Sequence, residues 1–284
     1  MAQDAYRCYG ITYYKESKGI LESERKLESR RTTSAKGTLR LETEIIILAI
    51  VASFVAAALT VPAGFGLSTM LTPVVLMLMS PHEAVAVVAV VHGAHNAGKS
   101  WSLWENINFQ AFRRYGIWLI LGAIIGAVLQ NQVPQKPLLG IMGIFLILLP
   151  LLTLNQSWKD YRLPEANDRI GGFGSGFMGG LSGHQGALRA MFLTSRLSDK
   201  MAYAATASIF ALCVDLSRIP VYLFFRPEGI TENWELTVAL VVSALIGVKT
   251  GKQWLQSMKS ESIRKGIMIG IIASGFFYLF EAVA

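Results

Sequence analysis

The chain has 284 residues, of which 52% are hydrophobic and 16% charged, with a formal net charge of +7 and a mean hydropathy of +0.44. Apolar segments recur from Ile45 onward, which excludes an ordinary soluble domain and describes a polytopic membrane protein. Two cysteines, Cys8 and Cys213, are too few and too dispersed for a disulfide framework or a zinc site.

Residues 1–43 are polar and mixed in charge ("ESERKLESRR"). They are too long and too acidic for the leading region of a signal peptide and contain no apolar stretch of their own. They read as a tail, either a plain solvated extension or a surface segment whose excess of Lys and Arg favours an anionic leaflet. Apolar runs then follow at 45–61, 67–79, 84–98, 115–129 and 138–154, and a second series at 170–181, 187–197, 201–225, 236–248 and 267–284. The runs form a first repeat over 44–154, a linker over 155–169 and a second repeat over 170–284. The expected fold is an all-α polytopic bundle with four to five helical segments in each half.

Several runs are shorter than the ~20 residues that a straight helix needs to cross ~30 Å of hydrocarbon. Two pairs are interrupted at glycine, "TVPAGFGLS" in the first half and "GGLSGHQGA" in the second. Such paired breaks predict discontinuous helices or re-entrant hairpins at a binding site. The halves overlay without a gap: a shift of 119 carries Gly64 to Gly183, Asn96 to Asp215 and Lys99 to Arg218. Each half therefore holds a polar residue followed three positions later by a cation, on one helix face.

Charge gives the orientation. Lys249, Lys252, Lys259, Arg264 and Lys265 cluster in one loop region, while "RPEGITENWE" before it is net acidic. The bias of cations toward the cytoplasm places the former inside and the latter outside. Counting back one crossing per run puts Arg196 and Lys200 inside, and Arg113 and Arg114 inside if 155–169 is cytoplasmic. Corresponding loops of the two halves then fall on opposite sides, which describes an inverted repeat. Strict inversion also places the basic tail outside, against its own charge.

The candidate site collects the polar residues at the breaks and on the segments after them. These are Gly66 and Ser68 at the first break, His92, Asn96 and Lys99 downstream of it, Gly183, His184, Gln185, Gly186 and Arg189 at the second break, and Asp215 and Arg218 beyond. Arginine at membrane depth costs about 2.5–3.5 kcal/mol even on lenient insertion scales, so it faces a cavity, a partner or a ligand. Helix starts exposed by glycine breaks offer free N–H groups and partial positive charge, and with Arg189, Lys99 and Arg218 they suit a small oxyanion. Plainer roles stay open: Arg189 snorkelling to an interface, Lys99 and Arg218 as topological anchors, Asp215 pairing with Arg218, and the glycines as close-packing residues. His92 and His95 have no companion carboxylate or cysteine on their own face, which argues against a metal; a histidine in a polar cavity, His184 above all, can instead carry a proton.

"AGFGLSTMLTPV" with "AVVHGAHNAGK", and "GGLSGHQGALRAMFL" with "ATASIFALCVDLSRIPVY", resemble the sulfite exporter TauE/SafE family over about residues 44–284. "SGHQGALR" with "VDLSR" resembles one branch of that family and departs from its commoner Gly-Gly-Gly hairpin. The resemblance implies a multi-pass permease of the cell membrane that moves sulfur-containing anions such as sulfite or organosulfonates, driven by the proton gradient. A passive anion channel and a carrier of another small anion such as a carboxylate are the alternatives. No phosphate-binding loop, nucleophile with a base or acidic metal cluster is legible, so neither ATP-driven transport nor an enzyme is expected, and no cofactor or metal. The expected partners are a small anionic substrate and the lipid bilayer, without nucleic acid; a homodimer is an open option.

Overall fold

A computed structural model describes residues 43–60, 67–154, 168–193, 196–197, 199–255 and 260–283. The polar tail, the first glycine break with Gly66, and most of the linker lie outside the described residues. The helical body is one unit, Ile46–Ala284, and Met1–Ile45 is another, described only at 43–45.

All described secondary structure is helical. α1 spans Thr43–Thr60, α2 Leu67–Val75, α3 Pro81–Ser102, α4 Phe109–Gln130 and α5 Gln135–Leu154. The second series comprises α6 Asp168–Ser182, α7 Gly186–Leu193, α8 Lys200–Phe225, a single turn α9 Glu228–Thr231, α10 Trp234–Leu255 and α11 Ser260–Val283. Four helices, α1, α4, α8 and α10, are long and apolar enough to cross a membrane. α3 and α8 begin earlier than their apolar runs because their first turns are capped by polar side chains. The backbone N–H of Ser80 donates to Glu83 Oε2 at 2.8 Å, and at the equivalent place Asp199 Oδ2 accepts from the Ala202 N–H at 2.7 Å, each satisfying a backbone donor that the helix leaves free.

The 119 shift recurs in the helix starts: Leu67 and Gly186, and Pro81 and Lys200, differ by that number. Packing is reciprocal between the halves. α4 lies on α6 and α10 on α1, while α2 touches α11 and α5 touches α7. α3 and α8 pack against each other in opposite directions, since His92 meets Asp215 and Ser100 Oγ donates to Ser208 Oγ at 2.9 Å. α5 and α11 are likewise antiparallel, with Gly143 against Gly275 and Gly140 against Ala282. α1 and α10 run parallel, with Gly247 against Phe54 and Gly251 against Ala58, and are tied by Ser53 Oγ donating to the Leu240 carbonyl at 2.9 Å and Ser243 Oγ to the Ile50 carbonyl at 2.7 Å.

α6 and α7 form a hairpin in which Gly171 faces Phe192 and Gly174 faces Leu188. Its turn is Gly183, whose φ of +81° lies in the left-handed region that glycine alone enters freely. At its open end Arg196 Nη2 sits 3.0 Å from Asp168 Oδ1. α6 presses on α4 so closely that a methyl group at Gly176 would lie 1.9 Å from the Leu119 carbonyl oxygen. Gly176→Ala must part the two backbones, at a cost of about 1–3 kcal/mol. We expect it to lower the melting temperature in detergent, whereas Gly270→Ala, with nothing within 4 Å, does not; equal effects of the two would refute the close packing as a source of stability.

The outer face of the body is apolar, and charged side chains are buried among its apolar core clusters. Ile117, Leu121, Ile124 and Ile125 on α4 and Val238, Val242, Leu245 and Ile246 on α10 are exposed, while Lys99, Asp168, Arg189, Asp215 and Arg218 are buried. That inverts the soluble pattern and suits a lipid surround.

Candidate functional site

The hairpin tip, the first turn of α2 and the crossing of α3 with α8 meet in one buried polar region. Ser68 Oγ, in the first turn of α2, donates to the Gly183 carbonyl at 2.6 Å. The helix that follows the first break thus touches the turn of the second. Gly183 has little room for a side chain, since a Cβ there would lie 3.1 Å from Arg218 Nη1.

Asp215 and Arg218 are fully buried and hold each other: Arg218 Nε donates to Asp215 Oδ1 at 3.0 Å and Nη2 lies 2.8 Å from the same oxygen. Arg218 Nη1 continues to the Gly179 carbonyl at 2.7 Å. One turn on, Tyr222 donates its hydroxyl to the Gly180 carbonyl. α8 therefore clamps the last turn of α6 through two carbonyls. Of the readings open for Arg218, ligand cation, topological anchor or structural partner of Asp215, the distances show the pairing.

His92 has no carboxylate on its own face of α3, but one reaches it from another helix: its Nδ1 lies 2.7 Å from Asp215 Oδ2. The carboxylate comes from α8, 123 residues away in sequence, which helical spacing within α3 cannot reveal. An ionised carboxylate only accepts, so Nδ1 carries the hydrogen in this contact. One turn on, Asn96 Nδ2 donates to the His92 carbonyl at 2.8 Å. Lys99 is 2% exposed, and its Nζ reaches the Thr60 carbonyl at the end of α1, 3.4 Å away.

The other group of expected residues is unspent. Arg189 is 3% exposed, and its Nε and Nη1 find no partner among the described residues. The same holds for both ring nitrogens of His184, both amide atoms of Gln185 and Nδ1 of His95. Burying such groups without partners costs on the order of 1–3 kcal/mol each, so a cluster of them at a helix break marks a place for something that satisfies them. Gly186 opens α7, and the Arg189 N–H bonds the Gln185 carbonyl at 3.0 Å, which places the guanidinium one turn past the tip. Lys99 and Arg189 are both buried; Lys99 bonds the last residue of α1, Arg189 follows the hairpin tip, and Ser68 and Gly183 bring the two regions into contact.

Ser68, His92, Asn96, Lys99, Gly183, His184, Gln185, Gly186, Arg189, Asp215 and Arg218 thus lie on the few elements that meet at the tip; Gly66 falls outside the described residues. Sequence reasoning missed Thr60, Gly179, Gly180 and Tyr222. Tyr222 had a signal, standing at i+4 from Arg218, with its ring 6.0 Å from that guanidinium; the carbonyls had none. No group of three or more His, Cys, Asp or Glu among the described residues is placed to hold a metal ion.

No curated protein and no solved structure matches the chain. A family model does: it covers residues 48–278, from within α1 almost to the end of α11, and so includes both glycine breaks and every site residue named above. On that match the chain belongs to the sulfite exporter TauE/SafE family, a family of membrane transporters.

Proposed function

We propose that the chain is a secondary carrier of small sulfur-containing anions such as sulfite or organosulfonates, driven by the proton gradient across the cell membrane. Its halves, 44–154 and 170–284, are read as an inverted repeat joined by a cytoplasmic linker, with the breaks meeting at the substrate site. The antiparallel course of α3 against α8 and of α5 against α11 supports that reading. An axis that reverses membrane-crossing helices lies in the membrane plane. The direction of the α3–α8 contact also agrees with the charge bias, since it sets Arg113 and Arg114 at the same end as Lys200.

Arg189 carries the reading: an arginine with two unpartnered N–H donors, buried beside the unpartnered His184 and Gln185 at a glycine turn, is a preformed oxyanion receptor. A cation at that depth, without a bonded carboxylate, is paid for by a ligand. Arg218, tied to Asp215, serves as the strut that keeps the hairpin tip in place.

Reconstituted in liposomes, the protein should take up sulfite saturably and faster when a proton gradient is imposed in the direction of flux. His184, unpartnered at the tip, is the group assigned to the proton, because Asp215 is held by Arg218 and His92. His184→Gln is expected to flatten the dependence of uptake on pH. A pH profile unchanged in that variant removes His184 from the mechanism, and uptake that does not saturate favours a channel.

A further inference from the structure

Lys99 and Arg218 are equivalents under the 119 shift, and they make equivalent bonds. Arg218 reaches the Gly179 carbonyl and Lys99 the Thr60 carbonyl, and Gly179 and Thr60 are themselves 119 apart. Each cation therefore ties a helix of one half to the last turn of the helix that leads into that half's break. The two differ in what neutralises them. Three residues before Arg218 stands Asp215, fully buried and paired with it. Three residues before Lys99 stands Asn96, which has no charge to give and spends its amide on the His92 carbonyl.

The charges around the tip do not balance. With Lys99 protonated and the histidines neutral, Arg218, Arg189 and Lys99 supply three positive charges and Asp215 one negative, leaving two positive. Asp215 is already shared between Arg218 and His92. Neither Lys99 nor Arg189 has an ion-pair partner among the described residues. In a low-dielectric interior such an excess is costly, and a ligand that restores neutrality is favoured over one that halves the deficit.

We propose that the substrate takes the place of the carboxylate that Asn96 lacks, and that Lys99, acting with Arg189, selects a doubly charged small oxyanion over a singly charged one. This rests on the anion-carrier reading above and adds its charge specificity. Arg189 supplies the planar fork that grips two oxygens, and Lys99 supplies the second charge from the opposite half of the molecule. An anion bridging the two cations joins α3 of the first half to α7 of the second, so a dianion closes the site across both halves. A monoanion leaves one of the cations unneutralised.

The test is binding to the purified protein by calorimetry, with thiosulfate and sulfate as dianions, methanesulfonate as a monoanion, and sulfite as reference. The parent protein should bind a dianion at least about tenfold more tightly than methanesulfonate. Lys99→Met should bring that preference to within about threefold. Asn96→Asp should do the same with the lysine intact, because it installs the i−3 carboxylate that the other half has. Lys99→Arg should keep the preference. A parent protein that binds sulfite but does not distinguish dianion from monoanion overturns the proposal alone, as does an Asn96→Asp variant that keeps the tenfold preference. A parent protein that binds no sulfur oxyanion overturns the carrier reading, and this proposal with it.

Discussion

Replacing Arg189 with alanine is expected to abolish sulfite binding and transport without weakening the fold. The guanidinium is buried and leaves Nε and Nη1 unpartnered, so its removal deletes the donors an oxyanion needs and breaks no ion pair among the described residues. Truncating one partner of a desolvated, hydrogen-bonded charge pair costs about 2–5 kcal/mol, which is a loss of affinity of about 30-fold or more. The empty protein should melt at the same temperature or higher, because an uncompensated buried charge is gone. Sulfite should no longer raise that temperature, since stabilisation by a ligand follows its affinity. Arg189→Lys separates the site from an anchor. A lysine keeps the charge and loses the paired donors, so it should recover binding in part; a side chain that merely snorkels to water would be replaced by lysine almost fully. Arg189→Lys binding sulfite like the parent, or Arg189→Ala melting several degrees lower, would overturn the assignment.

What the sequence made legible were the signals that are local in the chain. The glycine breaks around Gly64 and Gly183 and the apolar runs are read within windows of a few turns, the 119 shift compares two such windows, and the observed starts at Leu67, Gly186, Pro81 and Lys200 follow them. Helix ends were read too short where polar residues cap them: Pro81 to Glu83 and Lys200 add no hydropathy, yet they lie in helices. The matching spacing of Asn96 to Lys99 and of Asp215 to Arg218 is legible in the sequence, and the pairing of Asp215 with Arg218 was one of the roles it left open. The contact of His92 with Asp215 was not, because 123 residues separate them and only the crossing of α3 over α8 brings them together. Nor did side-chain patterns disclose the carbonyls of Thr60, Gly179 and Gly183, since every residue has one and only the fold decides which are presented to a side chain.

Removing the carboxylate of Asp215 should have the opposite signature to removing Arg189, and it is the larger effect on stability. Asp215 is wholly buried and accepts from Arg218 Nε at 3.0 Å and from His92 Nδ1 at 2.7 Å. Asp215→Ala leaves a fully buried guanidinium beside the hairpin tip with the Gly179 carbonyl as its remaining bonded partner. Breaking a buried pair from one side costs about 3–5 kcal/mol, far more than the pair contributes over a well-packed apolar substitute. The variant should therefore melt many degrees lower, and the clamp on α6 through Gly179 and Gly180 should loosen with it. Asp215→Asn, which keeps an acceptor and loses the charge, should fall between. Replacing both partners, as in Asp215→Leu with Arg218→Met, should recover most of the stability lost in Asp215→Ala, because no charge is then left buried and alone. A double variant as unstable as the sum of the two single ones would show that the pair does not act as a unit. Recovered stability with transport still lost would instead identify the Asp215–Arg218 strut as a device for holding the tip in register for the anion, at little net gain to the fold.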